Sequence, residues 1–165
     1  MNRLFLFILC ACFFSLQINA QSEKVSKGGA DIRVATALNQ IKTEYKVGKD
    51  GMYEVTYQTN GKRTQSAFID SETATIFGSE LRLVFSYAQV DGKLPTPSIA
   101  NLLLEENLTD IPNVWTIAKT KNGIHIANMV YVPANSDGKI LLEAFSSVMN
   151  AADKLEERLT KEDKL

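Results

Sequence analysis

The chain has 165 residues, 45% of them hydrophobic and 22% charged, with a formal net charge of −1. That balance belongs to a globular domain and excludes a disordered tail; without a basic excess it also excludes a nucleic-acid binder held by phosphate contacts. One His and two Cys leave little material for metal or thiol chemistry.

The first twenty residues read as an address. A short positive start ending in Arg3 precedes an apolar run from Leu4 to Leu16, and a more polar end closes on the small Ala20. This is the three-part grammar of a secretory signal peptide, with cleavage expected after Ala20 and the product periplasmic or secreted. The apolar run is shorter than the roughly 20 residues that span a bilayer. Lipid attachment at Cys12 is the weaker alternative: Leu9-Cys10-Ala11-Cys12 resembles a degraded lipobox, but Phe13, Phe14 and Leu16 stand where a polar tether belongs. Removing 20 residues from 165 leaves 145, takes away both Cys and Arg3, and moves the net charge to −2. The expected mature domain therefore has no disulfide and no thiol nucleophile. No later stretch is long enough to be transmembrane.

Residues 21–30 are polar, end near Gly28-Gly29, and read as a flexible leader to a single domain over residues 31–160. Asp31 is a helix cap, and Val34, Leu38, Ile41 and Tyr45 recur as one helical stripe that Gly48 and Asp50-Gly51 stop. Tyr53, Val55 and Tyr57 alternate with polar residues, and Asn60-Gly61 signals a tight hairpin turn. A two-residue turn there pairs Tyr57 with Thr64, Val55 with Ser66 and Tyr53 with Phe68, leaving Glu54, Gln58, Arg63 and Gln65 on a mostly wet face. Residues 70–80 read as a loop, after which Leu81, Leu83, Phe85 and Tyr87 alternate in a third strand ended by Asp91-Gly92. Thr96 and Pro97 open a second helix carrying Ile99, Leu102, Leu103 and Glu106 on one side, with Pro112 beyond it.

Asn122-Gly123 signals a second hairpin, whose expected register sets Trp115 against Val130, Ile117 against Asn128 and Ala118 against Ala127. Its second arm is apolar on both faces, with Ile124, Ile126, Val130 and Val132 on one and Ala127, Met129 and Tyr131 on the other, so it is central in its sheet or buried against a partner. Asp137-Gly138 then opens the clearest helix, with Leu141, Phe145, Val148, Ala152, Leu155 and Leu159 at helical spacing; residues 161–165 are a charged tail.

Catalytic material is scarce. His125 is alone, with Thr120 as its expected cross-strand neighbour, and reads as structural. The neighbouring carboxylates Asp70 with Glu72, Glu105 with Glu106, and Glu156 with Glu157 read as solvated surface, as does the charged stretch from Lys154 to Lys164. No Gly-x-Ser-x-Gly elbow or phosphate loop is present, and Asn107-Leu108-Thr109 matches a glycosylation sequon by chance. The aromatics Tyr53, Tyr57, Phe85, Tyr87 and Trp115 read as core ahead of a ligand pocket. No catalytic residue, cofactor or metal site is assigned.

The order helix, three-strand meander, helix, hairpin, long helix resembles the type III secretion chaperone-like fold, which includes the Tir (CesT-type) chaperones and the YbjN-like proteins. The resemblance rests on the stripe from Val34 to Tyr45, the turns Asn60-Gly61 and Asn122-Gly123, the segment from Pro97 to Leu108, Trp115, and the stripe from Leu141 to Leu159. It implies an α+β fold with helices packed on an antiparallel sheet, a homodimer built through the later strands and the middle helix, and protein binding in place of catalysis. The export signal departs from the secretion chaperones, which work in the cytoplasm. The expectation is an exported, non-enzymatic interaction module that binds a protein segment or partner, with Ala127, Met129, Tyr131, Leu102 and Leu103 as candidate partner or dimer surface. The alternative is a periplasmic carrier of a small apolar ligand.

Overall fold

A computed structural model describes residues 29–59, 63–89, 93–121 and 123–160. The expected signal peptide with Cys10 and Cys12, most of the leader with Gly28, the turn residues Asn60, Gly61, Asp91, Gly92 and Asn122, and the charged tail lie outside the described residues. The fold is α+β. Its elements run α1 (Ile32–Gln40), β1 (Lys46–Val47), β2 (Tyr53–Gln58), β3 (Thr64–Ile76), β4 (Ser79–Gln89), α2 (Pro97–Glu106), β5 (Val114–Thr120), β6 (Gly123–Pro133) and α3 (Gly138–Thr160). The strands form a six-stranded antiparallel sheet in the order β1-β2-β3-β4-β6-β5.

The helices begin where their capping chemistry directs. The Asp31 carboxylate accepts from the Arg33 backbone N–H at 2.9 Å, and Thr96 caps α2 with Pro97 as its first residue. The Asp137 carboxylate accepts from the Ile140 N–H at 2.9 Å at the start of α3. α1 ends at Gln40, earlier than the stripe suggests, so Tyr45 reaches the core from the following segment and packs against Tyr53 with ring centroids 5.4 Å apart.

α3 lies across β3, β4 and β6, and α1 packs beside it. Between helices and sheet sit two apolar clusters. The larger joins Val34, Leu38, Val55, Ile69, Val84, Val130, Val132, Leu141, Phe145 and Val148. The smaller joins Leu103, Trp115, Ile126, Ala152 and Leu155. The final stripe is thus core along its length, with Leu159 half-buried at its end. A row of buried polar side chains, Gln65, Ser86 and Asn128, lies on the same face of the sheet.

Both hairpins depart from the expected registers. In the first, Tyr53 pairs with Ile69, Val55 with Ala67 and Tyr57 with Gln65, one residue away from expectation. The Thr59 N–H donates to the Arg63 carbonyl at 2.9 Å, so the connection contains three residues where two were expected. A slip of one moves every side chain of the second strand to the other face. Gln65 is consequently buried under the helices, and Phe68 emerges on the opposite side. In the second hairpin Trp115 pairs with Asn128, Ile117 with Ile126 and Ala118 with His125. That slip is two residues, which leaves the faces as expected.

Residues 70–76 and 79–80 are strand where a loop was expected. The run Thr73-Ala74-Thr75-Ile76 is rich in β-branched residues. Phe77 and Gly78, with φ of 49° and 79°, close the pair in the left-handed turn that matches strand twist. The short β1 carried no sequence signal. β6 lies between β4 and β5, the central position its doubly apolar pattern implied.

Candidate functional site

Alternation along the central strands divides side chains between two faces. Arg82, Val84, Ser86 and Ala88 of β4 turn toward the helices and are buried; Leu81, Leu83, Phe85 and Tyr87 turn the other way and are half-buried. Opposite them on β6 the pairs are Leu83 with Tyr131, Phe85 with Met129, and Tyr87 with Ala127. Phe68 joins from β3 and Val114 and Ala118 from β5. No helix among the described residues lies on this second face.

Aromatic rings form a contiguous strip across it. Ring centroids are 5.3 Å apart for Phe68 and Phe85, 5.2 Å for Phe85 and Tyr87, and 5.1 Å for Tyr87 and His125. These separations are those of ordinary aromatic packing. Burial raises the Tyr87 phenol above its usual value. His125 is itself buried, with Nε2 2.9 Å from the Thr120 hydroxyl, a diagonal version of the expected contact, while Nδ1 has no partner. Tyr131 is 46% exposed and Val114 42%. The strip is an open, neutral, largely apolar surface. At one side Glu54 on β2 shares this face as the cross-strand partner of Phe68, with Lys46 on β1 in register with Glu54.

Of the candidate surface residues, Ala127, Met129 and Tyr131 lie together on this face, Tyr131 exposed and Met129 half-buried, whereas Ala127 is buried beneath its neighbours and offers no surface itself. Leu102 and Leu103 do not join them. Leu103 is 5% exposed and packs with Trp115 and Leu155 under α3, so it is a core residue, and Leu102 is half-buried on the same helix. The sequence reading missed Phe68, because the expected register placed it among the helix-facing residues. Leu83 and Phe85 were legible as an alternating strand but were read as core. The five aromatics considered for a ligand pocket are split between the faces: Tyr53 and Trp115 lie in the helix-covered core, and Tyr57 stacks on Phe145 at 5.6 Å.

The sheet edges are blunted locally. β1 has only two residues. On β5, the Asn107 side chain accepts from the Trp115 N–H at 2.6 Å and donates to the Trp115 carbonyl at 3.2 Å, imitating a neighbouring strand. Such blunting is how edges avoid unwanted strand addition. It also places the one sequon asparagine in a structural role.

Five carboxylates, Asp31, Glu80, Glu106, Asp153 and Glu156, are arginine partners. Glu156 is 1% exposed and pairs with Arg63 at 2.9 Å, while Asp153 pairs with the same guanidinium at 2.6 Å. This corrects the reading of Glu156 as solvated, while Lys154, Glu157 and Arg158 are exposed as expected. The Arg63 side chain had to be carried from the first hairpin to α3 for these acids to be buried, since unpaired charges are expelled from interiors. Among the described residues no group of three or more His, Cys, Asp or Glu has the arrangement of a metal site, and no helix is long and apolar enough to cross a membrane.

No protein-family model matches the sequence, and no curated protein matches it significantly.

Proposed function

We propose that this chain is an exported, non-enzymatic interaction module whose open sheet face docks against a second copy of itself. The observation that carries the reading is the strip of Phe68, Leu83, Phe85, Tyr87, Met129 and Tyr131, left uncovered beside a well-covered opposite face. Exposed apolar patches of this kind mark association surfaces. Charge argues for a second copy as occupant. The strip itself is uncharged, and Glu54 at its margin stands in register with Lys46, so two copies meeting face to face bring no unbalanced like charges together. The order of elements supports a chaperone-like fold of the type III secretion or YbjN-like kind, and the non-enzymatic reading draws on carboxylates already engaged by arginines. An apolar-ligand carrier is less well supported, because the five aromatics do not enclose a common space.

One experiment tests both parts. Protein recovered from the exported fraction of its host should begin at Gln21 by intact mass. At about 50 μM, a concentration suited to a modest interface, it should sediment as a dimer, and Leu83→Glu with Tyr131→Glu should make it a folded monomer. A monomeric parent protein, or a dimer untouched by the double substitution, removes the face as the docking surface. Retention of residues 1–20 removes signal cleavage.

A further inference from the structure

The outer edge of β5 is open beyond the point where Asn107 covers it. The Asn107 amide reaches both the N–H and the carbonyl of Trp115, so these two groups point away from β6. Backbone direction alternates along an antiparallel strand. Thr116, Ala118 and Thr120 therefore bond to β6, while Ile117 and Lys119 turn their N–H and carbonyl groups outward, as Trp115 does. Among the described residues nothing bonds these outward groups of Ile117 and Lys119. Ile117 is 41% exposed, and Lys119 is exposed beside it. A side-chain amide that stands in for a strand at Trp115 shows what the edge accepts, which is another peptide backbone. It also bounds the site, because an added strand pairs only from Ile117 onward.

Charge decides which backbone. Lys119 and Lys121 are exposed at this end of β5, and neither β5 nor its neighbour β6 carries an acid. A second copy of the edge is a poor occupant. Antiparallel self-pairing centred on Lys119 opposes like charges, and centred on Ala118 it sets the two Lys119 side chains diagonally across from each other. Centred on Ile117, it sets Lys119 against Trp115, whose groups Asn107 already holds. Lysine on an edge turns away uncharged and basic strands, and the same charge favours an acidic one. We infer that the β5 edge from Ile117 to Lys121 takes up an extended acidic segment of another protein, antiparallel to β5, as a further strand of the sheet. An acidic residue of that segment lies across from Lys119, and an apolar one two positions later lies across from Ile117, on the same side of the sheet as Trp115. The residues between them lie beside Ala118 and Thr120 and favour β-branched side chains. The edge is separate from the aromatic strip, and the inference holds for a monomer and a dimer alike.

The probe is a fluorescent peptide of sequence Glu-Thr-Glu-Thr-Val-Thr, blocked at both ends, whose second glutamate lies across from Lys119 and whose valine lies across from Ile117. The purified protein is titrated into it while anisotropy is followed. Saturable binding, half-complete below about 500 μM, is expected. N-methylation of the second glutamate and the valine removes the N–H groups that face β5 and should weaken binding at least about tenfold, whereas N-methylation of the threonine between them, whose N–H faces away, should leave it unchanged. The peptide with lysine for glutamate should not bind, and Lys119→Glu should reverse that preference. Ile117→Pro deletes an outward donor without touching the bonds to β6 and should also weaken binding. Circular dichroism confirms folding of the variants; if Ile117→Pro does not fold, the N-methyl comparison on the parent protein carries the test. The inference is overturned by no saturable change up to about 2 mM, by equal binding of the lysine peptide, or by N-methylation having the same effect at both kinds of position, which would make the contact one of charge alone.

Discussion

An added Cβ on Gly138 would stand 2.4 Å from the Ala37 carbonyl oxygen and 2.8 Å from Ile41 Cγ2. The first of these is backbone and cannot turn aside, so the start of α3 and the last turns of α1 touch through a gap that only glycine fills. The Gly138 N–H also donates to the Gln40 side-chain oxygen at 3.0 Å, which fixes the approach. Helix propensity alone would make Gly138→Ala favourable by about 1 kcal/mol. Overpacking of a rigid contact costs about 1–3 kcal/mol, and this clash is more severe than a single extra methylene in a soft core. Gly138→Ala is expected to be net destabilising, seen as a lower urea midpoint without change in slope. A raised midpoint would mean that the two helices part freely at this point. Nothing in the local sequence distinguishes this glycine from an ordinary helix-opening one, because its partner lies about a hundred residues earlier in the chain.

α3 is the element on which both apolar clusters depend. Leu141, Phe145 and Val148 serve the larger and Ala152 and Leu155 the smaller. Leu155→Asp puts a carboxylate where the side chain is 1% exposed. The nearby Arg63 is already shared by Asp153 and Glu156, so the new charge finds no ready partner. Burying an unpaired charge belongs to the class of substitutions that cost about 4–5 kcal/mol, enough to unfold or aggregate a domain of this size. Soluble protein with an unchanged melting curve would contradict the packing of this end of the helix. The helices were the most legible elements because a stripe at helical spacing, a capping Asp or Thr and a following proline are all local signals. The strands were less so. Their existence followed from alternation, but their pairing depended on turn length, and one extra residue between Thr59 and Arg63 sent Gln65 inward and Phe68 outward. The open face was therefore half visible: Ala127, Met129 and Tyr131 came from a doubly apolar strand, while Phe68 needed the register.

At the scale of the whole molecule, one ionic cluster ties the start of α1 to three neighbouring strands of the sheet. Arg82, 1% exposed on β4, reaches the Asp31 carboxylate at the start of α1, the Asp70 carbonyl at the irregularity in β3, and the Ala134 carbonyl after β6. Arg33 bonds Asp31 at 2.9 Å and both carboxylate oxygens of Glu80 at 2.9 Å. Burial by itself would raise the Asp31 carboxyl, but the hydrogen bonds from Arg33 and the nearby Arg82 outweigh it and hold the group below its ordinary 3.8. The Arg33 bond, followed by that from Thr73, holds Glu80 below its ordinary 4.5. Both carboxyls thus release protons more readily in the folded chain than in the unfolded one. In acid the unfolded state binds more protons, so stability falls as pH falls. The contribution is complete above the ordinary values of 3.8 and 4.5 and disappears as the pH drops through the lower folded ones. Urea midpoints should be nearly level between about pH 7 and pH 5 and then decline steeply below about pH 4.5. Arg33→Met lowers stability at neutral pH, and it should also flatten the acid decline, because Glu80 loses its main partner and Asp31 one of its two. Arg82→Met is a poorer probe. It leaves the buried Asp31 with only the more exposed Arg33, a loss of a buried partner that costs about 3–5 kcal/mol and threatens folding itself. An acid decline as steep in Arg33→Met as in the parent would place the acid sensitivity elsewhere, with the Arg63, Asp153 and Glu156 cluster the next to examine.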